Sequence, residues 1–156
     1  ESFKGDSMTI GIDNHNPFNI KGNVRDPWHG MTGLDQYGHA VFTDQVYSVR
    51  ALVRILWKYW HKHGVNNLHE FAARYAPEND PNADNVPSDY AMFLSIRTGT
   101  RTDEPIELFS SDKTIKDGEF LLEFISAIAE YENFTGYQVC ENDIISGMSY
   151  YIRDFV

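Results

Sequence analysis

A chain of 156 residues is long enough for one compact domain burying about 70% of the surface its unfolded form exposes, and short for two. With 42% hydrophobic residues, 23% charged residues and six prolines, it has a globular composition and lacks the low hydrophobicity of disordered chains. Thirteen Lys and Arg against 23 Asp and Glu give a net charge of -10, and the basic residues are scattered, so nucleic acid is not expected as a partner.

The first forty residues carry six of the eleven glycines (Gly5, Gly11, Gly22, Gly30, Gly33, Gly38) together with Pro17 and Pro27. That density predicts loops and short strands and leaves no room for a helix of ordinary length. From Asp44 to His63 the apolar residues Val46, Val49, Leu52, Val53, Leu56, Tyr59 and Trp60 recur at three and four, which predicts one long amphipathic helix ended by Gly64. Asn67 with Glu70 has the form of a capping box before a short helix that Pro77 closes. Glu78 to Pro87 is a polar loop; Ser88 is then expected to cap a third helix through Tyr90, Phe93, Leu94 and Arg97, with Gly99 beyond its end. Residues 98 to 116 read as a connection with a turn at Glu104-Pro105 and one short helical turn.

Asp117 is placed to cap the most regular helix, whose stripe is Phe120, Leu121, Phe124, Ile125, Ile128 and Tyr131. A last helix from about Asn142 carries Ile144, Ile145, Met148, Tyr151 and Ile152. The class is therefore mainly α, with a small irregular or β-containing lobe at the N-terminus, and residues 1-156 are expected to form a single domain. The most apolar run, Phe120 to Ala129, is interrupted by Glu123 and Ser126. It falls short of the ~20 apolar residues of a membrane span. The single cysteine, Cys140, excludes an intramolecular disulfide and a cysteine-cluster metal site. The chain begins at Glu1 without an apolar leader, which reads as a processed form whose targeting information has been removed.

Glu132 closes the core helix. It lies one residue from Tyr131 and four from Ile128, near the buried stripe, whereas Glu130 is expected to point away. A partly desolvated carboxyl has a raised pKa and suits a general acid. No metal or cofactor is expected. His61 and His63, two apart on a helix, face different sides. Asp80, Asn82 and Asp84 mimic the start of a calcium loop, but Asn85 and Ala91 stand where such a loop needs Gly and Glu. Trp57 and Trp60 read as packing residues, while Trp28, in a glycine-rich loop, is placed to stack on a ligand ring.

The run His15-Asn16-Pro17-Phe18-Asn19-Ile20-Lys21, then Trp28-His29-Gly30, then Ala40-Val41-Phe42 before the helix at Tyr47-Ser48-Val49-Arg50-Ala51, resembles a known pattern. It is similar to the Asn-Asn-Leu-Phe-Gly-Ile-Lys segment, Trp-x-Gly and following aromatic of flagellar-type cell-wall glucosaminidases. It is closer still to an Asn-Asn-Pro-Gly-Asn-Ile-Arg family of phage-associated proteins, whose later features recur as Tyr75-Ala76-Pro77, Asn85, Tyr90 and Glu132-Asn133. The resemblance covers roughly residues 13 to 148. In the glucosaminidases a helix ending in the catalytic Glu precedes the Asn-Asn-Leu-Phe segment, whereas here the corresponding helix follows it, so the resemblance implies a circular permutation of a lysozyme-like fold. Termini that lie close together at the surface allow this. Phe18 stands where the phage family has Gly, His15 replaces the first Asn, and Phe134 replaces the Gly after Glu-Asn.

The resemblance implies a peptidoglycan glycosidase cutting the β-1,4 glycan bond, with Glu132 as acid, Asn16, Asn19 and Trp28 lining the cleft and Tyr75 near the reacting sugar. Hydrolytic glycosidases need a second carboxylate roughly 5 to 9.5 Å away, whereas transglycosylases use the substrate's own groups. Glu141 is the first candidate for that carboxylate, and Asp35 and Asp26 are the others. Peptidoglycan strands are the expected partner and the periplasm or exterior the expected location. An immunity or inhibitor protein is a further partner if the chain is a delivered effector. The alternative is a non-catalytic wall-binding or virion structural module.

Overall fold

The computed structural model describes residues 10–81 and 83–156; Gly5 and Asn82 of the patterns above lie outside them. Among the described residues the elements are α1 (Ile10–Asp13), β1 (Met31–Leu34), β2 (Ala40–Phe42), α2 (Gln45–Lys62), α3 (Leu68–Tyr75), α4 (Pro87–Thr98), α5 (Gly118–Glu132) and α6 (Glu141–Phe155). The protein is mainly α, as its periodicity predicts, and no helix among the described residues is long and apolar enough to cross a membrane. The described residues divide into two compact units, one made of those up to Arg54 together with Ile128–Val156, the other of those within Ile55–Ala127.

In the first unit the N-terminal stretch forms a single helical turn, a buried loop and an antiparallel hairpin. The hairpin pairs Met31 with Phe42, Gly33 with Val41 and Leu34 with Ala40, with an irregularity between Met31 and Gly33. The first half of α2 buries Val49, Leu52 and Val53 at three- and four-residue spacing. From α6, Ile144 and Tyr151 are buried, and Gly147 stands so close to the Val49 side chain and the Val46 carbonyl that a Cβ would collide with both. Arg50 is only 3% exposed, its Nε donating to Asp154 at 3.1 Å. The next cation one turn on, Arg54, lies 4.2 Å from the centroid of the Phe155 ring.

The second unit is built on aromatic packing. Phe71 lies parallel to Tyr75 at 5.0 Å and meets Phe124 and Tyr90 edge-on, while Leu56, Leu68, Leu94 and Leu121 fill the space around them. Trp60 presents its edge to Phe124, and its indole N–H donates to the Ile106 carbonyl at 2.7 Å. Trp57 stacks on His61 at 5.2 Å.

Helix boundaries follow local chemistry. The Asn67 side chain accepts from the Glu70 N–H at 2.8 Å, and Glu70 reaches back to the N–H of Asn66 at 2.9 Å, one residue earlier than a standard capping box. Asp117 accepts from the Phe120 N–H at 3.0 Å. Gly99 ends α4 in the left-handed region at φ 71°. Ser88 does not cap α4. That helix starts at Pro87, whose fixed φ and missing N–H suit the first helical position, and Val86 precedes it without a side-chain cap. The connection from residue 99 to 117 contains a turn at Arg101–Glu104 and a bridge between Phe109 and Ile115, and no helical turn.

Candidate functional site

The loop after α1 is organised by asparagines. The single turn Ile10–Asp13 ends as Asn14 donates back to the Ile10 carbonyl and His15 takes φ 52°. Asn16 to Asn19 then form a tight turn, closed by the Asn19 N–H on the Asn16 carbonyl at 3.1 Å, with Pro17 at its favoured position. Asn16 is 0% exposed. Its amide donates to the carbonyls of Ile20 and Ala40, both at 2.9 Å, and its oxygen accepts from the Ile20 N–H at 3.1 Å. The side chain thus satisfies backbone groups that burial would otherwise leave unpaired. It holds the loop from behind and lines no cleft, contrary to the expectation for this residue.

Asn19, in the left-handed conformation at φ 53°, turns its side chain to the end of α5. Its Nδ2 donates to Glu132 Oε1 at 2.9 Å and lies 3.3 Å from the Glu132 carbonyl. The next residue completes the junction: Asn133 Nδ2 donates to the carbonyls of Pro17 and Ala129, both at 2.7 Å. Among the described residues its Oδ1 is buried without a hydrogen-bond partner. It faces Gly11. A Cβ built there would stand 2.8 Å from the Asn16 carbonyl oxygen, 2.8 Å from Asn19 Oδ1 and 3.2 Å from Asn133 Oδ1. Only a glycine lets these three oxygens crowd one backbone position.

Glu132 itself is half-buried. Glu130, two residues earlier, contacts the turn after the helix. It is also half-buried, and its Oε2 accepts from the Gly136 N–H at 2.9 Å, closing the turn after α5.

The other candidate acids are placed differently. Asp35 sits at the tip of the hairpin, where Oδ1 accepts from the N–H groups of Tyr37 and His39 at 2.8 and 2.9 Å. Its Oδ2 accepts from Asn14 Nδ2 at 2.9 Å and lies 3.1 Å from His39 Nδ1. Burial pushes its pKa up, but these donors outweigh burial and hold the carboxyl below the usual range. An acid saturated in this way is a turn-forming residue, poorly suited to exchanging protons near neutral pH. Asp26 is exposed. Glu141 is exposed at the start of α6, where a carboxylate complements the positive end of the helix. Trp28 is half-buried in the first unit, its indole N–H donating to the Lys21 carbonyl at 3.1 Å. Tyr75 belongs to the second unit, where it packs on Phe71, Tyr90 and Tyr59.

The structure therefore brings together Asn19, Glu132 and Asn133, with Asn16 behind them and Gly11 beneath. Gly11 and Asn14 escape sequence reasoning because a four-residue helix has no periodicity to reveal which of its positions must be small.

No protein-family model matches the chain. Among curated proteins it is similar to Protein P5 of Pseudoalteromonas phage PM2, with 34% identity over 94 residues, which make up 57% of this chain and 55% of the phage protein. The chain thus spans about half the length of the curated relative it matches.

Proposed function

We propose that the protein is a peptidoglycan glycosidase of lysozyme-like, circularly permuted fold in which Glu132 is the general acid. The observation that carries this reading is the hydrogen bond from Asn19 Nδ2 to Glu132 Oε1, spanning 113 positions of sequence. The two segments that the family resemblance selects, the asparagine loop and the Glu-Asn helix end, meet at that bond. Their meeting supports their working as one site. Glu132 delivers its proton to the leaving glycosidic oxygen, and Asn19 acts as a positioning residue whose bond to Oε1 fixes the carboxyl plane. The oxocarbenium-like transition state is then stabilised by Glu141 or by the substrate's own acetamido group, since Asp35 already serves four donors. Trp28 offers a ring face beside the loop for stacking on a sugar.

A second reading, a non-catalytic wall-binding or virion structural module, is favoured by the similarity to a phage protein. One experiment separates them. Purified protein incubated with peptidoglycan should release soluble muropeptides, whose reducing or anhydro ends, read by mass spectrometry, report hydrolysis or transglycosylation. Glu132→Gln keeps an acceptor for Asn19 but cannot give up a proton, so activity should fall at least about 100-fold with folding retained. Intact sacculi that still co-sediment with the parent protein would establish the second reading instead. Equal cleavage by parent and Glu132→Gln would remove Glu132 from the chemistry.

A further inference from the structure

We propose that the second unit carries a binding site for a polyphosphoryl anion, formed by His63 and Arg74 in the recess at the end of α2, with Lys58 and Lys62 on the last turns of that helix as flanking charges. An open recess of about 330 Å³ lies there, lined by His63, Gly64, Val65, Glu70, Ala73 and Arg74. That volume is at the lower end of ligand sites, which run from about 300 to 1,000 Å³. Gly64 creates the recess by taking φ 68°, which lets the chain reverse so that the Val65 N–H returns to the Tyr59 carbonyl at 3.1 Å.

Tyr59 forms a shared wall. The Arg74 guanidinium stands 5.5 Å from its ring centroid and the His63 imidazole meets it edge-on at 6.3 Å. Burial pushes the Tyr59 hydroxyl up to about 12, so the wall adds no negative charge at neutral pH. Arg74 and His63 are thereby presented side by side, one of them with the planar fork that suits phosphate oxygens.

The charge around the recess opposes that of the molecule. Lys58, Lys62, His63 and Arg74 are all exposed, and among the described residues none has a carboxylate within ion-pair distance. The carboxylate in the lining, Glu70, is engaged with the Asn66 N–H. Partial desolvation and the charges of Arg74, Lys58 and Lys62 hold the His63 imidazole below the usual histidine range. The -10 net charge of the chain does not cancel this patch, because salt screens exposed charges beyond about 8 Å at physiological ionic strength. Negative helix ends explain why cations gather at the last turns of α2 and α3; the recess and the Tyr59 wall add room and orientation for a ligand.

Inorganic tripolyphosphate is the probe. A bound polyanion relieves the repulsion on His63, so its imidazole titration, followed by NMR on the whole protein, should move up by about one unit on adding tripolyphosphate. Binding should tighten as pH falls through that titration. Calorimetry should show affinity reduced about tenfold or more in Arg74→Gln and in the double variant Lys58→Gln/Lys62→Gln. The double variant changes exposed residues and guards against a folding defect from removing Arg74. An unmoved His63 titration in the parent, or parent-like affinity in the double variant, overturns the proposal.

Discussion

Gly11→Ala puts the geometry around Glu132 to a test whose sign alone is informative. In an unconstrained helical position the change from glycine to alanine stabilises by about 0.5–1 kcal/mol. At Gly11 the new methyl meets the Asn16 carbonyl and Asn19 Oδ1 at 2.8 Å and Asn133 Oδ1 at 3.2 Å. The Asn16 carbonyl is main chain and already accepts from Asn19, and the same residue is anchored by three side-chain bonds. It cannot retreat without breaking them. The Asn19 amide can rotate, but only by releasing Glu132. Overpacking costs about 1–3 kcal/mol and a lost hydrogen bond about 1 kcal/mol, so after subtracting the propensity gain a net destabilisation of roughly 2 kcal/mol remains. In a chain of this size that lowers Tm by roughly 4–8 °C, measurable by calorimetry and by urea unfolding at unchanged slope. Because the main-chain carbonyl is the stiffer obstacle, Gly11→Ala/Asn19→Ala should recover less than half of the loss. An alanine variant as stable as the parent, or more so, would refute the crowding on which the positions of Asn19 and Asn133 rest.

Asn16→Ala removes three buried hydrogen bonds and should cost roughly 2–4 kcal/mol by denaturant unfolding, well above the roughly 0.5 kcal/mol expected of an exposed residue. Asp35→Asn should destabilise by about 1.5–3 kcal/mol, since one amide oxygen cannot replace a carboxylate accepting from four donors. Because the Asp35 pKa is depressed in the folded state, its contribution is fully present above the ordinary Asp value of about 3.9 and is lost as pH falls through the lower folded value. The parent should therefore lose stability more steeply than Asp35→Asn below about pH 4, as thermal unfolding across that range will show. Glu130→Gln retains an acceptor for the Gly136 N–H, so it should cost about 0.5–1 kcal/mol and leave muropeptide release at parental rates.

Long periodic segments were legible because burial imposes its period on them: α2 and α5 lie within a residue or two of where Val46 to Trp60 and Phe120 to Tyr131 place them. Asp117 and Gly99 likewise act where side-chain and backbone chemistry are local. Ser88 misleads because the proline before it is a stronger helix-starting signal than a hydroxyl. For the candidate site, sequence reasoning selects Asn19 and Glu132 but cannot distinguish an asparagine facing a carboxyl from one facing main-chain carbonyls. Asn16 and Asn19 are three residues apart in one turn, and only the tertiary surroundings decide that the first is fully buried. Asp35 offers the same lesson, since its four donors come from a hairpin tip and from Asn14, 21 positions away.

Joining residues 17–19 to residues 132–133 also bears on how the chain acquires its structure. The first unit is discontinuous, whereas the second comes from one uninterrupted stretch, Ile55–Ala127. Closing a loop of 113 residues between Asn19 and Glu132 costs about 4 kcal/mol of chain entropy by the (3/2)RT ln n scaling. Contacts within the second unit close shorter loops and can form early. On the ribosome, which emits about 5–20 residues per second, Phe18, Ile20 and Phe42 emerge several seconds before Asn133 exists to bind the Pro17 carbonyl. Residues 17–19 thus wait for partners made much later, exposed meanwhile to chaperones and proteases. Truncation at the far end of the chain should free that segment first, measurable as early proteolytic cleavage among residues 14–20.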